Sequence, residues 1–288
     1  MPVRKDENGR RYVEAAVEVP GSPEEVWRAI ATGKGISSWF VPTISDEQEG
    51  GKVVSSFGPG MDSVATIKEW NPPKDFLAET EEGPGKVATE WIVEARSGGT
   101  CVVRVVHRWF ADSDDWDAEF EGHAYGWAAS FFRILRLYLT HFPGQTCSPF
   151  DLAAFCKWPG PKTWRSVKSA LRIDARSQHV ESTSGAPMLS GVVESTEITD
   201  PELLRARDRA PQIKAALEGM GDEEPELLLR LDRPAPGLVH MFIMPMNDQT
   251  MVSIRFFLYG DQGAAAAPYA EQEWKDWLAA RFRQVAPA

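Results

Sequence analysis

The chain has 288 residues, 43% hydrophobic and 25% charged, and a net charge of −11 from 31 Lys and Arg against 42 Asp and Glu. That length is one large domain or two ordinary ones, with enough apolar material for a sizeable core. The acidic balance, without a basic cluster, argues against nucleic acid and anionic membrane surfaces as partners, and no apolar run approaches the ~20 residues of a membrane span. Cys101, Cys147 and Cys156 are an odd, sparse set with no CxxC pair, which argues against a disulfide framework or a cysteine zinc site. The opening MPVRKDENGRR has no apolar stretch behind its charges, unlike a secretory signal, so the expected compartment is cytoplasmic.

Residues 11–19 (RYVEAAVEV) alternate with a period of two and predict a strand with one buried face. Next comes PGSPEEVWRAIA, a short amphipathic helix. Ser22 is its N-cap, Pro23 its first position, and Glu24 and Glu25 lie at the positive end. TGKGISSWF, punctuated by glycine, leaves room for one or two turns. Strands are predicted at residues 52–57, 63–70, 76–80, 87–95 and 100–110. They are separated by Gly58-Pro59-Gly60, Asn71-Pro72-Pro73, Gly83-Pro84-Gly85 and Ser97-Gly98-Gly99. Such short connections make an antiparallel meander. Residues 114–142 carry Trp116, Phe120, Trp127, Phe131, Leu135 and Tyr138 at helical spacing. A helix of that length has to lie across something wide.

Residues 143–161 are rich in Pro and Gly and interrupt regular structure, which divides the chain into domains 1–147 and 148–288. Beyond them, 163–171 predicts a short helix and 189–198 a strand. A strand pair at 226–231 and 239–244 flanks Pro234-Ala235-Pro236-Gly237, and 251–259 (MVSIRFFLY) is a further strand. Residues 271–282 form a closing amphipathic helix with Trp274, Trp277, Leu278 and Phe282 on one side; Trp274 and Trp277 are expected to be exposed. The alanine run 264–267 is too brief to assign. PGSPEEVWRAI and PGPKTWRSVKSAL open the two halves alike, and in each half strands lead to a terminal helix, the pattern of a degenerate tandem duplication.

Three segments, VEVPGSPEEVWRAIATGKGISSWF, TEWIVEARSGGTCVVRVVHRWF and GWAASFFRILRLYLTHF, carry a resemblance to the START-like (SRPBCC) superfamily and its Hsp90-ATPase-activator-homologue branch, over residues 10–145. The second half resembles a divergent copy. The resemblance implies an α+β helix-grip fold: a curved antiparallel sheet around a long C-terminal helix, in tandem, with a cavity between sheet and helix. It implies binding of small apolar molecules, as in many relatives, or cyclisation or aromatisation of polyketides, as in others. Stimulation of a chaperone ATPase transfers less readily, because the eukaryotic co-chaperones carry an additional N-terminal domain of another kind.

Within this frame, alternation in VVRVVHRWF puts Cys101, Val103, Val105, His107 and Trp109 on the inner face, and Trp91 faces the same way from the neighbouring strand. His107 is either a polar handle in an apolar cavity or a core histidine bonded to a neighbouring group. Trp127, Phe131 and Leu135 share the helix face laid over the sheet. Trp39 and Phe40 are either a mobile gate at the cavity mouth or a plug sealing the core. The acidic run Asp112, Asp114, Asp115, Asp117, Glu119 and Glu121 suits a helix N-terminus better than a metal site, having no EF-hand spacing, and His123 with His107 makes no recognised metal pattern. GKGISS lacks the third glycine of a dinucleotide loop and follows a helix. There is no P-loop, nucleophile elbow or HExxH, so no cofactor and no metal are expected. Cys101 reads as an inert buried thiol, and Arg230 and Arg255 as solvent-face residues.

The expected function is non-catalytic binding of a small apolar molecule by Trp39, Phe40, Trp91, Val105, His107, Trp109, Trp127, Phe131 and Leu135. The second domain serves packing or a protein partner. The alternatives are a cyclase- or aromatase-like enzyme on a hydrophobic substrate, with His107 as its acid or base, and an accessory protein of an Hsp90-type chaperone.

Overall fold

The computed structural model describes residues 3–57, 62–82, 85–109, 116–173, 178–194, 201, 204–205, 207, 210–221, 224–246 and 248–282. The turn at Gly58-Pro59-Gly60, Gly83-Pro84, Phe110, Asp112, Asp114, Asp115 and the end of the predicted strand at 195–198 lie outside the described residues. Two compact units emerge: residues 1–144 with 198–211, and residues 145–197 with 212–288.

The first unit begins with β1 (Arg4–Lys5) and β2 (Arg11–Pro20), followed by α1 (Pro23–Ala31) and α2 (Gly33–Ser37). Then come β3 (Thr43–Ser45), β4 (Lys52–Ser56), β5 (Asp62–Asn71), β6 (Asp75–Glu82), β7 (Gly85–Arg96) and β8 (Thr100–Trp109). Their order in the sheet is β1-β2-β8-β7-β6-β5-β4-β3, antiparallel throughout. The long helix runs through α3 (Asp117–Gly126), a π turn (Trp127–Phe131) and α4 (Phe132–His141), and it packs on β2. This is the helix-grip arrangement. The sheet buries its inner face against the long helix, with α1 adding Trp27 against Trp70 and Phe76, which answers both the apolar stripe of the helix and the one-sided strands.

Local chemistry explains the α1–α2 corner. Ser22 Oγ accepts from the Glu25 N–H at 3.3 Å and Glu25 Oε2 accepts from the Ser22 N–H at 2.8 Å, a reciprocal capping box. The GKGISS segment has a structural use: a Cβ on Gly35 would overlap the Arg28 carbonyl, so only glycine lets α2 turn this closely under α1. Thr32 Oγ1 caps α2 by accepting from the Gly35 N–H at 3.0 Å. Two small strands, β1 and β3, carry no sequence pattern strong enough to announce them.

The second unit repeats the plan in reduced form. It contains β9 (Cys147–Cys156), α5 (Gly160–Ala170), β10 (His179–Glu181), β11 (Ser190–Glu194), α6 (Pro211–Leu217), β12 (Glu226–Arg233), β13 (Gly237–Met246), β14 (Gln249–Tyr259) and α7 (Gly260–Arg281). The sheet order is β10-β11-β12-β13-β14-β9. In both units the first long strand, followed by a helix, pairs with the last strand, and the terminal helix packs on it. The tandem arrangement is therefore a fact of topology as well as of sequence rhyme.

Three expectations for this half are corrected. Residues 147–156 are a strand rather than an interruption; Pro149 is tolerated because β9 is an edge strand, where a missing N–H costs little. The last helix starts at Gly260 and includes the alanine run, so Trp274 and Trp277 belong to the second core, exposed by only 1% and 9%. Arg255 is buried beside Asp151, and Arg230 pairs with Glu194 (Nε to Oε1, 2.9 Å). Both arginines do point away from the second core. However, that sheet face also carries the buried Leu228, Leu238 and Phe257, so it is not a solvent face.

Two outcomes follow from this packing. Gly35→Ala should lower stability by about 1–3 kcal/mol, as overpacking does, read as a fall in the urea midpoint; an unchanged midpoint would contradict the close approach of α2 to α1. We also propose that residues 1–147 fold alone. Their denaturation should be a single cooperative transition, and a broad, non-cooperative one would mean that the unit needs residues 198–211.

Candidate functional site

The inner face of the first sheet is set by register. Val105 lies opposite Trp91 and Ala15, His107 opposite Thr89 and Val13, and Trp109 opposite Val87 and Arg11. The long helix covers this face and brings Trp127 down onto it. Trp127 is the hub of an aromatic cluster, with ring centroids 4.7 Å from Phe40, 5.1 Å from Trp91, 5.3 Å from Phe131, 5.7 Å from Phe132 and 6.2 Å from Trp39. Most of these contacts are edge-to-face or tilted, the arrangements favoured by ring quadrupoles.

The π turn decides which helix residues join. In a regular α-helix, residues 127 and 132 would sit about 140° apart around the axis. Here the Phe132 N–H reaches the Trp127 carbonyl, five residues back, and stacks them on one face. Phe131 and Phe132 therefore both touch Trp127.

His107 is the polar member. Trp127 Nε1–H donates to His107 Nε2 at 2.8 Å, and His107 Nδ1 lies 2.9 Å from Thr89 Oγ1. An indole N–H can only donate, so Nε2 is the bare nitrogen and Nδ1–H donates to the Thr89 hydroxyl. Both ring nitrogens are thus committed. Desolvation of the ring, and secondarily the neighbouring His123, push the His107 pKa down to about 3. The imidazole is neutral at physiological pH.

Of the positions expected from sequence, Trp39, Phe40, Trp91, Trp127, Phe131 and His107 come together. Val105 and Leu135 are fully buried, Val105 on the sheet face beneath the cluster and Leu135 on α4. Trp109 does not join. It stacks on Phe120 with centroids 3.8 Å apart, in a separate core with Val13, Val87 and Ala124. Trp39 is a wall: it has no exposed surface and its Nε1–H is held by the Ala29 carbonyl at 2.9 Å. Phe40 leads outward to Phe57, at 5.7 Å, which is 39% exposed.

Sequence reasoning left out Thr89, Phe57 and Phe132. Thr89 was within reach: the Ser97-Gly98-Gly99 turn sets the hairpin register that pairs it with His107. Phe132 carried no such signal, because the π turn is not written in side-chain spacing.

Two of the described acidic residues near the helix start, Asp117 and Glu121, have structural partners. Asp117 Oδ2 accepts from Arg11 Nη1 at 2.6 Å, and Glu121 Oε1 accepts from the Val3 N–H at 3.2 Å. Among the described residues, no group of three or more His, Cys, Asp or Glu side chains is placed to hold a metal ion. Cys101 is buried, its thiol donates to the Gly21 carbonyl at 3.4 Å, and burial pushes its pKa up. No described helix is long and apolar enough to cross a membrane.

Known proteins give this arrangement a place. Residues 20–140 match the family model described as activator of Hsp90 ATPase homolog 1-like protein. That match lies within the first unit. Among solved structures, the chain is similar to the di-domain ARO/CYC BexL at 14% identity and a TM-score of 0.42, covering 95% of this chain and 99% of that one. DynU16, from the dynemicin biosynthetic locus, matches at 14% identity and 0.40, covering 94% and 95%. The Aha1 dimer from Colwellia psychrerythraea matches at 19% and 0.37, over 44% of this chain and 91% of that one. No curated protein matches the chain.

The lowered His107 pKa makes a testable statement about acid stability. An unfolded histidine takes up a proton near pH 6.5, whereas the native one stays neutral to about pH 3. Between these values the unfolded chain binds the extra proton, so this contribution is complete above ~6.5 and shrinks as the pH falls toward 3. His107→Gln should therefore flatten the acid limb. The wild-type advantage in urea midpoint should narrow steadily from pH 7 to pH 4, and a constant gap would show that His107 titrates normally.

Proposed function

We propose that the first domain binds a small apolar molecule against the Trp39, Phe40, Trp91, Trp127 and Phe131 cluster, without catalysing a reaction on it. The observation that carries this reading is the union of the aromatic hub with a neutral, doubly hydrogen-bonded His107. The rings offer a ligand flat apolar contact on several sides. A molecule burying about 300 Å² of apolar surface gains on the order of 7 kcal/mol before its lost freedom is subtracted, so weak to micromolar binding is the range to probe.

His107 fits a general acid or base poorly. Such a group works best with a pKa near the operating pH, and this one is held far below it. Its Nε2 is also occupied by an indole N–H rather than presented to an open space. The second domain, with its own core and its own sheet, serves packing or recognition of a protein partner in this reading.

Native mass spectrometry of the freshly purified protein should show a co-purified small molecule. An environment-sensitive apolar dye should bind, and Trp127→Ala, by enlarging the space, should change its uptake severalfold. Trp274→Ala, in the second core, should leave it unaltered. Equal effects of the two changes, or turnover of a hydrophobic substrate that His107→Gln abolishes, would overturn the reading.

A further inference from the structure

Trp127 has the features of an occupant as well as those of a wall. Its indole is flat, ringed by five aromatic side chains, and anchored by one N–H to the single bare nitrogen of His107. Unlike Trp39, it is only half-buried. It also stands on the π turn, the one irregular step of the long helix, and π turns are common at functional sites. Phe40 and the exposed Phe57 lead from it to the surface.

We propose that Trp127 is a built-in stand-in for the ligand. The cognate molecule is a neutral, planar aromatic with one O–H or N–H donor, such as a phenol or an indole-like heterocycle. It enters by displacing the Trp127 side chain and donates its own hydrogen to His107 Nε2. This rests on the ligand-binding reading above and narrows it to a chemical class. The exchange conserves the hydrogen bond: one donor leaves Nε2 and another takes its place, so no buried lone pair is stranded. Thr89 supports the selection by accepting from Nδ1–H, which keeps Nε2 an acceptor. A molecule that can only accept, such as an ether, a ketone or a carboxylate, meets a lone pair there and is disfavoured. The neutral imidazole gives an anion no charge to pair with.

The test uses the full chain and two probes of nearly equal shape, 1-naphthol and 1-methoxynaphthalene, titrated by calorimetry and by NMR of the indole N–H signals. The Trp127 signal is assigned by its loss in Trp127→Phe. The expected result is a three- to tenfold preference for 1-naphthol, the worth of one hydrogen bond, with the Trp127 N–H signal shifting as the site fills. In His107→Phe the preference should vanish. In Trp127→Ala, indole should bind, and N-methylindole several times more weakly. If His107→Phe does not fold, the probe preference and the signal shift in the wild type decide the matter. Equal affinity for both probes, or a Trp127 signal unmoved at saturation, overturns the stand-in while leaving apolar binding intact. Absence of binding by either probe, to wild type and to Trp127→Ala alike, removes the ligand reading itself and the stand-in with it.

Discussion

The antiparallel pairing of β2 with β8 is the constraint on which the first domain depends. Ten residue pairs, from Arg11 with Trp109 to Pro20 with Thr100, join segments about ninety residues apart in the chain. That pairing joins the start of the domain to the last strand of the sheet and gives the long helix a floor to lie on. It also sets the register of the whole inner face: once His107 stands opposite Val13, the neighbouring hairpin puts Thr89 and Trp91 in place. Thr89 and Trp91 then owe their places beside His107 and Val105 to the β7–β8 hairpin register. A slip of one residue would send His107 to the outer face, among Glu14, Arg104 and Glu90.

The polar and apolar parts of the site constrain each other. The aromatic rings desolvate His107 and keep it neutral. The neutral imidazole in turn offers the one acceptor that an indole N–H needs beneath the helix. Neither group is satisfied without the other, since a buried donor or acceptor left alone costs more than the bond gains. In the proposed ligand-binding reading this mutual dependence replaces the open nitrogen and near-neutral pKa that proton transfer would need.

The second domain shows how the same plan survives with less. Its last strand also pairs with its first long one, and a helix of comparable length closes it. Its core combines aliphatic strand residues and the stacked Phe150 and Phe256 with Trp164, Trp274 and Trp277. The polar groups on the opposite sheet face, His240 with Glu226 (Nε2 to Oε2, 3.0 Å) and Arg255 near Asp151, have no counterpart of the Trp127–His107–Thr89 arrangement among the described residues. The two units thus share topology and differ in what their inner faces carry.

Alternation along β2, β7 and β8, the hairpin glycines and the capping residues before α1 are local properties. They made the antiparallel meander and the inner-face position of Val105, His107 and Trp91 legible from the chain alone, whereas the helix-grip class was what the family resemblance implied and the tandem plan came from the like openings of the two halves. What the sequence could not specify are features in which distant segments settle a local choice. The bulge in β5 turns both Ile67 and Trp70 inward, against strict alternation. The π turn gathers Phe132 onto the face of Trp127, while Phe120 draws Trp109 into a separate core. Residues 147–156 become a strand because β14 is there to pair with them, despite their proline. Helical and strand periods are set by each residue's own backbone, so the sequence determines them. Bulges, π turns and the sharing of rings between cores are settled by packing between segments far apart in the chain, and only the tertiary structure decides them.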